Sequence, residues 1–199
     1  AIALDGPVSD ILPEFADLKV LAGFDGGEPV LRAPKTVCTV RHLASHTSGL
    51  AYEFWSDDLM RYRKIAEHPS VMTGKLAALP YPLLFDPGTR WGYGIGIDWL
   101  GRVIEAVSGE RIDAFCRREI FEPLGMDSTA FEMEPTLAAR LSSAFVRDGN
   151  EFVAKRMAPP TNPDFYGMGH ALYSSAGDYL RFLRMLLRGG ELDGTRVVS

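Results

Sequence analysis

Residues 87–109 of this 199-residue chain read PGTRWGYGIGIDWLGRVIEAVSG. From Ile97 to Val107 the apolar side chains recur at the spacing of one face of an α-helix. Gly109 then supplies a residue that ends helices readily, because it adopts the left-handed backbone conformation. The first half of the stretch carries a proline and four glycines. It therefore predicts an irregular segment that delivers Tyr93 to the start of the strongest helix of the chain.

Capping residues on both sides of this stretch predict further helices. On the N-terminal side, Thr39 is a candidate N-cap for a short helix, Ser56 for a second and Ser70 for a third. On the C-terminal side, we expect one helix from about Ile112 to Phe121 and a last one after Ser175. The sequence is thus mainly helical on both sides of Tyr93.

Three other stretches complete the predicted architecture. The four leucines of Leu180–Leu187 form a stripe that is expected to face the core. Residues 143–155 alternate apolar and polar side chains around Asp148-Gly149, which predicts a β-hairpin. Residues 5–36 are rich in Asp, Gly and Pro and predict mostly loop with a short helical turn. Together these patterns indicate an α+β unit that is mainly helical and has a small hairpin.

Composition excludes several classes of protein. Hydrophobic residues make up 46% and charged residues 24%, which is ordinary for a soluble globular protein. A formal charge of −5 gives no basic surface for nucleic acid, and no run of about 18 apolar residues predicts a membrane span. The two cysteines, Cys38 and Cys116, support neither a disulfide scaffold nor a zinc site, and their pairing stays open.

Two local motifs invite a catalytic interpretation that their context does not favour. His42 and His46 lie four residues apart, but a catalytic metal needs a third ligand and none is nearby. We expect both histidines to make hydrogen bonds at a helix end, and we predict no metal site. Ser48 lies too close to His46 along the chain for a nucleophile and its base, so a turn-forming role is favoured.

A series of motifs resembles the serine β-lactamase and penicillin-binding-protein superfamily, most closely the class C β-lactamases and the family VIII carboxylesterases. The resemblance implies a β-lactamase/transpeptidase-like α+β fold, of which this chain is mainly the helical lobe. It implies a serine hydrolase that forms an acyl-enzyme without a metal or organic cofactor. The motifs that carry it are Leu4–Val8 with Leu12–Phe15, Thr39–Leu43 with His46–Leu50, Pro87–Tyr93, Pro123–Met126, and Ser174–Tyr179 with Leu192–Gly194.

Two motifs of that superfamily are not found in this sequence. No serine of the chain is followed three residues later by a lysine, as the nucleophile of the family would be. The resemblance places the helix that carries Ser-x-x-Lys before Ala1, and the strand that carries Lys/His-x-Gly after Ser199. We therefore expect residues 1–199 to be the central part of a single domain that lacks its flanking sheet parts, and we expect this chain alone to be inactive.

The resemblance assigns Tyr93 the role of general base, since it stands six residues after the proline of Pro87-Gly88-Thr89. A tyrosine in water has a pKa near 10, so full ionisation at pH 7 needs about 4 kcal/mol of differential stabilisation. In the family that stabilisation comes from cations of the two missing motifs. Ile95 replaces the Asn of the Tyr-x-Asn motif of β-lactamases, and an apolar contact there favours an ester over an amide substrate.

Five aromatic residues are candidates for lining the substrate pocket. Tyr52, Phe54 and Trp55 follow the His-Thr-Ser-Gly-Leu turn, and Phe165 and Tyr166 lie in a later Pro-rich loop. The alternative is that these side chains only cover the core of the lobe, as most aromatic residues do. The sequence leaves both interpretations open.

The predicted substrate is a small ester, and several other functions stay open. A β-lactam substrate, D-amino-acid peptidase activity and acyl transfer all use the same machinery. A non-catalytic relative could instead use the lobe for binding or assembly. The oligomeric state, the compartment and the redox state of the cysteines are not determined by the sequence.

Overall fold

A computed structural model describes residues 2–155 and 161–198 of the chain. The described residues form two compact units. The first contains the residues up to Phe115 together with Pro163–His170, and the second contains Cys116–Asn162 together with the residues from Ala171 onward. All seven candidate site residues belong to the first unit. Among the described residues, no helix is both long enough and apolar enough to cross a bilayer.

The first unit combines a hairpin with helices. It begins with the 3₁₀ turns Val8–Asp10 and Pro13–Asp17, and further 3₁₀ turns lie at Glu53–Trp55, Val71–Thr73 and Leu76–Ala78. Its strands are β1 (Val20–Asp25) and β2 (Glu28–Arg32), and its helices are α1 (Val40–Ala44), α2 (Asp57–Ile65) and α3 (Gly96–Ser108). The antiparallel β1–β2 hairpin was not predicted, since residues 5–36 were expected to be mostly loop. The missed signal is Gly26-Gly27, whose positive φ angles of 56° and 98° suit a tight hairpin turn.

Side-chain capping explains where α1 and α2 begin. The Thr39 side chain accepts a hydrogen bond from the His42 backbone N–H, and His42 Nδ1 accepts one from the Thr39 N–H. Ser56 accepts a bond from Leu59 N–H and caps α2 as predicted. The helix predicted after Ser70 is wrong, because Ser70 caps only a 3₁₀ turn that ends at Gly74 in the left-handed conformation.

The core of the first unit forms around α3, which packs on α1. Trp99 is buried, its ring meets Phe15 edge-on at 4.9 Å, and its Nε1 donates to the Leu79 carbonyl at 3.2 Å. Val103 is fully buried one turn later, whereas Val107 is exposed. The helix therefore ends at Ser108 as predicted, with Gly109 in the left-handed conformation. Its innermost face runs through Trp99 and Val103, which the simple periodicity did not single out.

A helical run that starts at Ile112 continues from the first unit into the second, which also contains the remaining helices and two further hairpins. The predicted helix after Ile112 is present and extends further, as α4 (Ile112–Cys116), a π-helical turn (Arg117–Phe121) and α5 (Glu122–Leu124). Gly125 ends it in the left-handed conformation. The other elements are α6 (Pro135–Ala138), β3 (Ala144–Asp148), β4 (Glu151–Lys155), α7 (Ala176–Leu187), β5 (Glu191–Leu192) and β6 (Thr195–Arg196).

Two details of the second unit differ from the prediction. The β3–β4 hairpin is present, but its two loop residues are Gly149 and Asn150, because Asp148 pairs with Glu151. The leucine stripe of α7 does not face a core, since Leu180, Leu183, Leu186 and Leu187 are all exposed. The helix buries Met185 instead and packs against β5. Periodicity predicts an apolar face but not whether the described residues supply a partner for it.

Candidate active site

The loop that carries Tyr93 is held against the turn after α1 by backbone hydrogen bonds. Gly88 N–H donates to the Thr47 carbonyl and Gly92 N–H donates to the His46 carbonyl, both at 2.8 Å. A side chain at Gly94 would place its Cβ 2.2 Å from the Ala51 Cα. The glycines around Tyr93 are therefore required by the close approach of two backbone segments.

Tyr93 itself lies on the surface, immediately before α3, with 48% of its side chain exposed. Its ring contacts three other aromatic rings. The centroid distances are 4.8 Å to His46, 5.5 Å to Tyr52 and 6.4 Å to Trp91, with the Trp91 ring close to parallel. The phenol is thus held by rings around it while its exposed part remains open to an incoming molecule.

His46 adopts an unusual backbone conformation beside this tyrosine. Its φ angle is +57°, which is the left-handed region and is uncommon for residues other than glycine. Its Nδ1 is buried and has no hydrogen-bond partner among the described residues. Burial lowers the pKa of the imidazole below its ordinary value of 6.5. His46 is therefore neutral at pH 7. We predicted that both histidines make hydrogen bonds at a helix end, and only the His42 imidazole does so among the described residues.

Tyr52 and Asp98 form a buried polar pair next to Tyr93. Burial raises the pKa of the Tyr52 phenol, and the nearby Asp98 carboxylate raises it further. Asp98 Oδ1 accepts a hydrogen bond from Gly169 N–H at 3.1 Å, whereas Oδ2 is buried without a partner among the described residues. Burial also raises the pKa of Asp98. Burial thus disfavours the charged form of both groups.

An open cleft of about 520 Å³ lies next to Tyr93. Its walls are mostly apolar and aromatic, with one guanidinium at the rim. This composition is typical of small-molecule sites, which are mostly apolar and carry a few polar groups. The lining residues are Ala51, Trp55, Ser56, Leu84, Phe85, Arg90, Trp91, Gly92 and Tyr93.

The structure brings some of the predicted site residues together at the cleft and buries others. Trp55 is 73% exposed and lines the cleft with Tyr93, and Phe54 stacks on Tyr52 at 4.9 Å. The remaining three candidates, Ile95, Phe165 and Tyr166, are buried. Within the described residues Ile95 and Phe165 belong to the hydrophobic core, so their predicted contact with substrate stays a prediction.

Sequence reasoning missed three residues of the cleft or its support. Arg90 and Trp91 stand within the motif that carries Tyr93, and their adjacency to it was the available signal. His46 was considered as a metal ligand, as a base for Ser48 and as a hydrogen-bonding residue at a helix end, but not as a neighbour of Tyr93. Ser48 is buried and its Oγ accepts from Leu50 N–H at 3.3 Å, which is the predicted turn-forming role. Within residues 2–155 and 161–198, no group of three His, Cys, Asp or Glu side chains could hold a metal ion.

The fold and this site place the chain in a known class. The chain belongs to the beta-lactamase family, whose model matches residues 1–198. This family includes hydrolases and acyltransferases, and the predicted resemblance and fold are confirmed.

Particular relatives refine that assignment. The chain is 33% identical to a lovastatin esterase of Penicillium rubens, over 94% of the chain and 49% of the relative. It is 35% identical to ML-236A carboxylate methylbutanoyltransferase of Penicillium citrinum, over 75% of the chain and 37% of the relative. The structure resembles a mutant simvastatin synthase from Aspergillus terreus with a TM-score of 0.83 and 31% identity, covering 95% of the chain and 47% of that protein. The chain thus spans about half the length of these relatives or less.

Proposed function

We propose that the protein is a serine-dependent carboxylesterase in which Tyr93 is the general base. The observation that carries the proposal is the half-exposed phenol of Tyr93 at the edge of an aromatic cleft, at the head of α3. The likeness to a lovastatin esterase supports ester cleavage as the reaction. The nucleophile would belong to a Ser-x-x-Lys motif outside residues 1–199.

The reaction would proceed in two steps through an acyl-enzyme. The serine oxygen attacks the ester carbonyl while Tyr93 Oη takes its proton. As the C–O bond of the ester breaks, Tyr93 returns that proton to the leaving alkoxide, which departs as an alcohol. Water then attacks the acyl-enzyme carbonyl and releases the acid, with the proton passing back to the serine through Tyr93.

Within this chain, the surroundings of Tyr93 orient its phenol. The rings of His46, Tyr52 and Trp91 restrict the orientation of the phenol. His46 is neutral at pH 7, so it adds no positive charge beside the phenol. The cations that would favour the phenolate would come from the lysine of Ser-x-x-Lys and from the Lys/His-x-Gly strand.

Acyl transfer is the second candidate function. The specific observation in its favour is the likeness to a methylbutanoyltransferase and to a simvastatin synthase. The chemistry differs only in the last step, where an alcohol replaces water as the nucleophile that takes the acyl group. Ile95, in place of the polar residue of β-lactamases, favours either of these functions over β-lactam hydrolysis.

The test uses the full-length protein with 4-nitrophenyl butanoate and a chromogenic cephalosporin. We expect ester turnover well above cephalosporin turnover, and a loss of 10²- to 10⁴-fold in kcat for Tyr93→Phe. Tyr179→Phe is the matched control, because Tyr179 is also about half exposed but belongs to the second unit. Ester turnover that survives Tyr93→Phe would contradict the role of Tyr93. Adding an alcohol and identifying the products separates transfer from hydrolysis.

A further inference from the structure

Arg90 occupies a distinctive position at the rim of the cleft. It is exposed, and its guanidinium carbon lies 4.5 Å from the centroid of the Phe85 ring. A guanidinium stacked on an aromatic face keeps its donors free at the edge of its plane, and the ring restricts its motion. The cation is therefore held in place beside Trp91 and Tyr93 with donors available to a ligand.

The charge of Arg90 is not used by the described part of the chain. Within residues 2–155 and 161–198, the Arg90 side chain makes no ion pair and no hydrogen bond. The acid closest to it in sequence, Asp86, is held by another arginine. Arg32 Nη1 and Nη2 donate to its two carboxylate oxygens at 2.8 Å each, and Lys35 N–H donates to Oδ1 at 2.8 Å. The Asp86 carboxylate is thus paired with Arg32, and the Arg90 guanidinium remains available to a ligand at the cleft.

We infer that the cleft takes an amphipathic ester that carries a carboxylate, and that Arg90 binds this carboxylate. The inference rests on the proposed esterase function and adds a substrate class to it. Trp55, Trp91 and Leu84 supply apolar surface for the body of such a substrate, and Arg90 supplies a planar fork that matches a carboxylate. Arg90 is then a specificity-determining residue that acts on substrate binding.

Two chromogenic esters that differ in one group test this inference on the full-length protein. They are 3-butanoyloxy-4-nitrobenzoate and 3-butanoyloxy-4-nitrobenzamide, which release the same kind of nitrophenol but differ in charge. We expect the protein to favour the carboxylate by about 10-fold in kcat/KM, the size expected for a partly exposed hydrogen bond to a charged group. Arg90→Gln is expected to bring that ratio to about 1, and Arg90→Lys to leave an intermediate value because it keeps the charge without the fork.

The chain offers a matched control for the loss of a stacked arginine. Arg61 on α2 is also exposed, and its guanidinium carbon lies 4.0 Å over the Phe24 ring, but it does not line the cleft. Arg61→Gln makes the same change in charge and removes the same kind of cation–π contact, so the carboxylate preference is expected to stay as in the parent. Raising the salt concentration is expected to weaken the preference in the parent and not in Arg90→Gln.

The outcomes separate this inference from the proposed function. Equal turnover of both esters by the parent, or a ratio unaffected by Arg90→Gln, would overturn the inference and leave the esterase function standing. Failure to cleave either ester would count against the esterase function. In that case calorimetric binding of the uncleaved amides 3-butanamidobenzoate and 3-butanamidobenzamide still decides the role of Arg90. Tighter binding of the benzoate that depends on Arg90 supports it, and equal binding overturns it.

Discussion

The imidazole ring of His46 lies 4.8 Å, centroid to centroid, from the phenol ring of Tyr93. The two residues are also tied through the backbone, because the His46 carbonyl accepts the hydrogen bond of Gly92 N–H. A left-handed residue whose buried Nδ1 has no partner within residues 2–155 and 161–198 is costly to maintain. Here it turns the chain so that the His46 ring packs on the candidate base, which gives a reason for the conformation.

The first prediction concerns the protonation of His46. Its folded-state pKa is lowered by burial, so the folded protein takes up a proton at this ring less readily than the unfolded chain does. Stability from the neutral ring is thus present above pH 6.5 and is lost as the pH falls below that value. We expect the free energy of unfolding of the parent, relative to His46→Asn, to decline between pH 7.5 and pH 5 in urea titrations. A constant difference would show that the ring is not desolvated.

The second prediction concerns the buried carboxyl of Asp98. Its folded-state pKa is raised by burial, so its ionisation opposes folding, and stability is lost as the pH rises above its ordinary value of 3.8. Asp98→Asn keeps an oxygen acceptor for Gly169 N–H and cannot ionise. We expect the free energy of unfolding of the variant, relative to the parent, to rise as the pH increases from 4 to 7 in urea titrations, because only the parent carboxyl opposes folding by ionising.

Asp98→Ala is the control for the interpretation of Asp98→Asn. Asp98→Ala removes the acceptor and leaves Gly169 N–H without its partner. It is therefore expected to destabilise the protein at pH 4 and at pH 7. Stabilisation by Ala and Asn alike would mean that the hydrogen bond to Gly169 contributes nothing. A loss of stability in Asp98→Asn at pH 7 would mean that the ionised carboxylate has a partner in the full-length protein.

Local signals in the sequence were sufficient for the helices that carry their own caps. Thr39, Ser56 and Gly109 mark boundaries that the structure reproduces, because capping depends only on neighbouring residues. The family was likewise predictable, since its motifs are short and lie in a fixed order. Ser70 shows the limit of such signals, because a serine caps a single 3₁₀ turn as readily as a helix.

What the sequence could not predict depends on contacts between distant segments. Residues far along the chain bury Ile95. They also leave Arg90 available, because the Asp86 carboxylate is bound by Arg32, which lies 54 positions before it. The cleft itself arises where the turn after Leu50 meets the loop around Tyr93. The spacing of apolar residues along the sequence does not predict such contacts between distant segments.

The third prediction concerns the backbone contact beside Tyr93. In Gly94→Ala the new methyl group would lie 2.2 Å from Ala51 Cα and 2.5 Å from the Leu50 carbonyl oxygen, so one of the two segments must move. We expect a loss of about 3 kcal/mol in stability, at the upper end of overpacking costs. Gly177→Ala is the control, because its Cβ would meet only the Ser175 Oγ at 3.8 Å. A folded Gly94→Ala with parental Tm would contradict the described contact.

The fourth prediction concerns the reactivity of Cys38. This thiol is buried, lines a separate cavity of about 260 Å³, and has a pKa raised by burial to about 12. Because the thiolate is the reactive form, the folded protein is expected to leave Cys38 unmodified by iodoacetamide at pH 8, as followed by peptide mass spectrometry. Denatured protein should react fully under the same conditions. Rapid labelling of Cys38 in the native state would contradict the burial of this thiol.

The last prediction concerns the ion pair between Arg32 and Asp86, which connects β2 to the segment before Tyr93. The hydrogen bonds from Arg32 and from Lys35 N–H lower the pKa of Asp86 from 3.8 to about 2. A carboxylate with a depressed folded-state pKa stabilises the fold above its unfolded pKa and loses that contribution as the pH falls. We expect the stability advantage of the parent over Asp86→Asn to be constant above pH 5 and to disappear between about pH 4 and pH 2, as measured by thermal unfolding.

Arg41→Gln, which breaks the exposed pair with Asp5, is the comparison for a pair away from this segment. An advantage that stays undiminished down to pH 2 would show that Asp86 acts through packing, because most of the charge-dependent stability is lost between the unfolded-state pKa of 3.8 and the folded-state pKa of about 2.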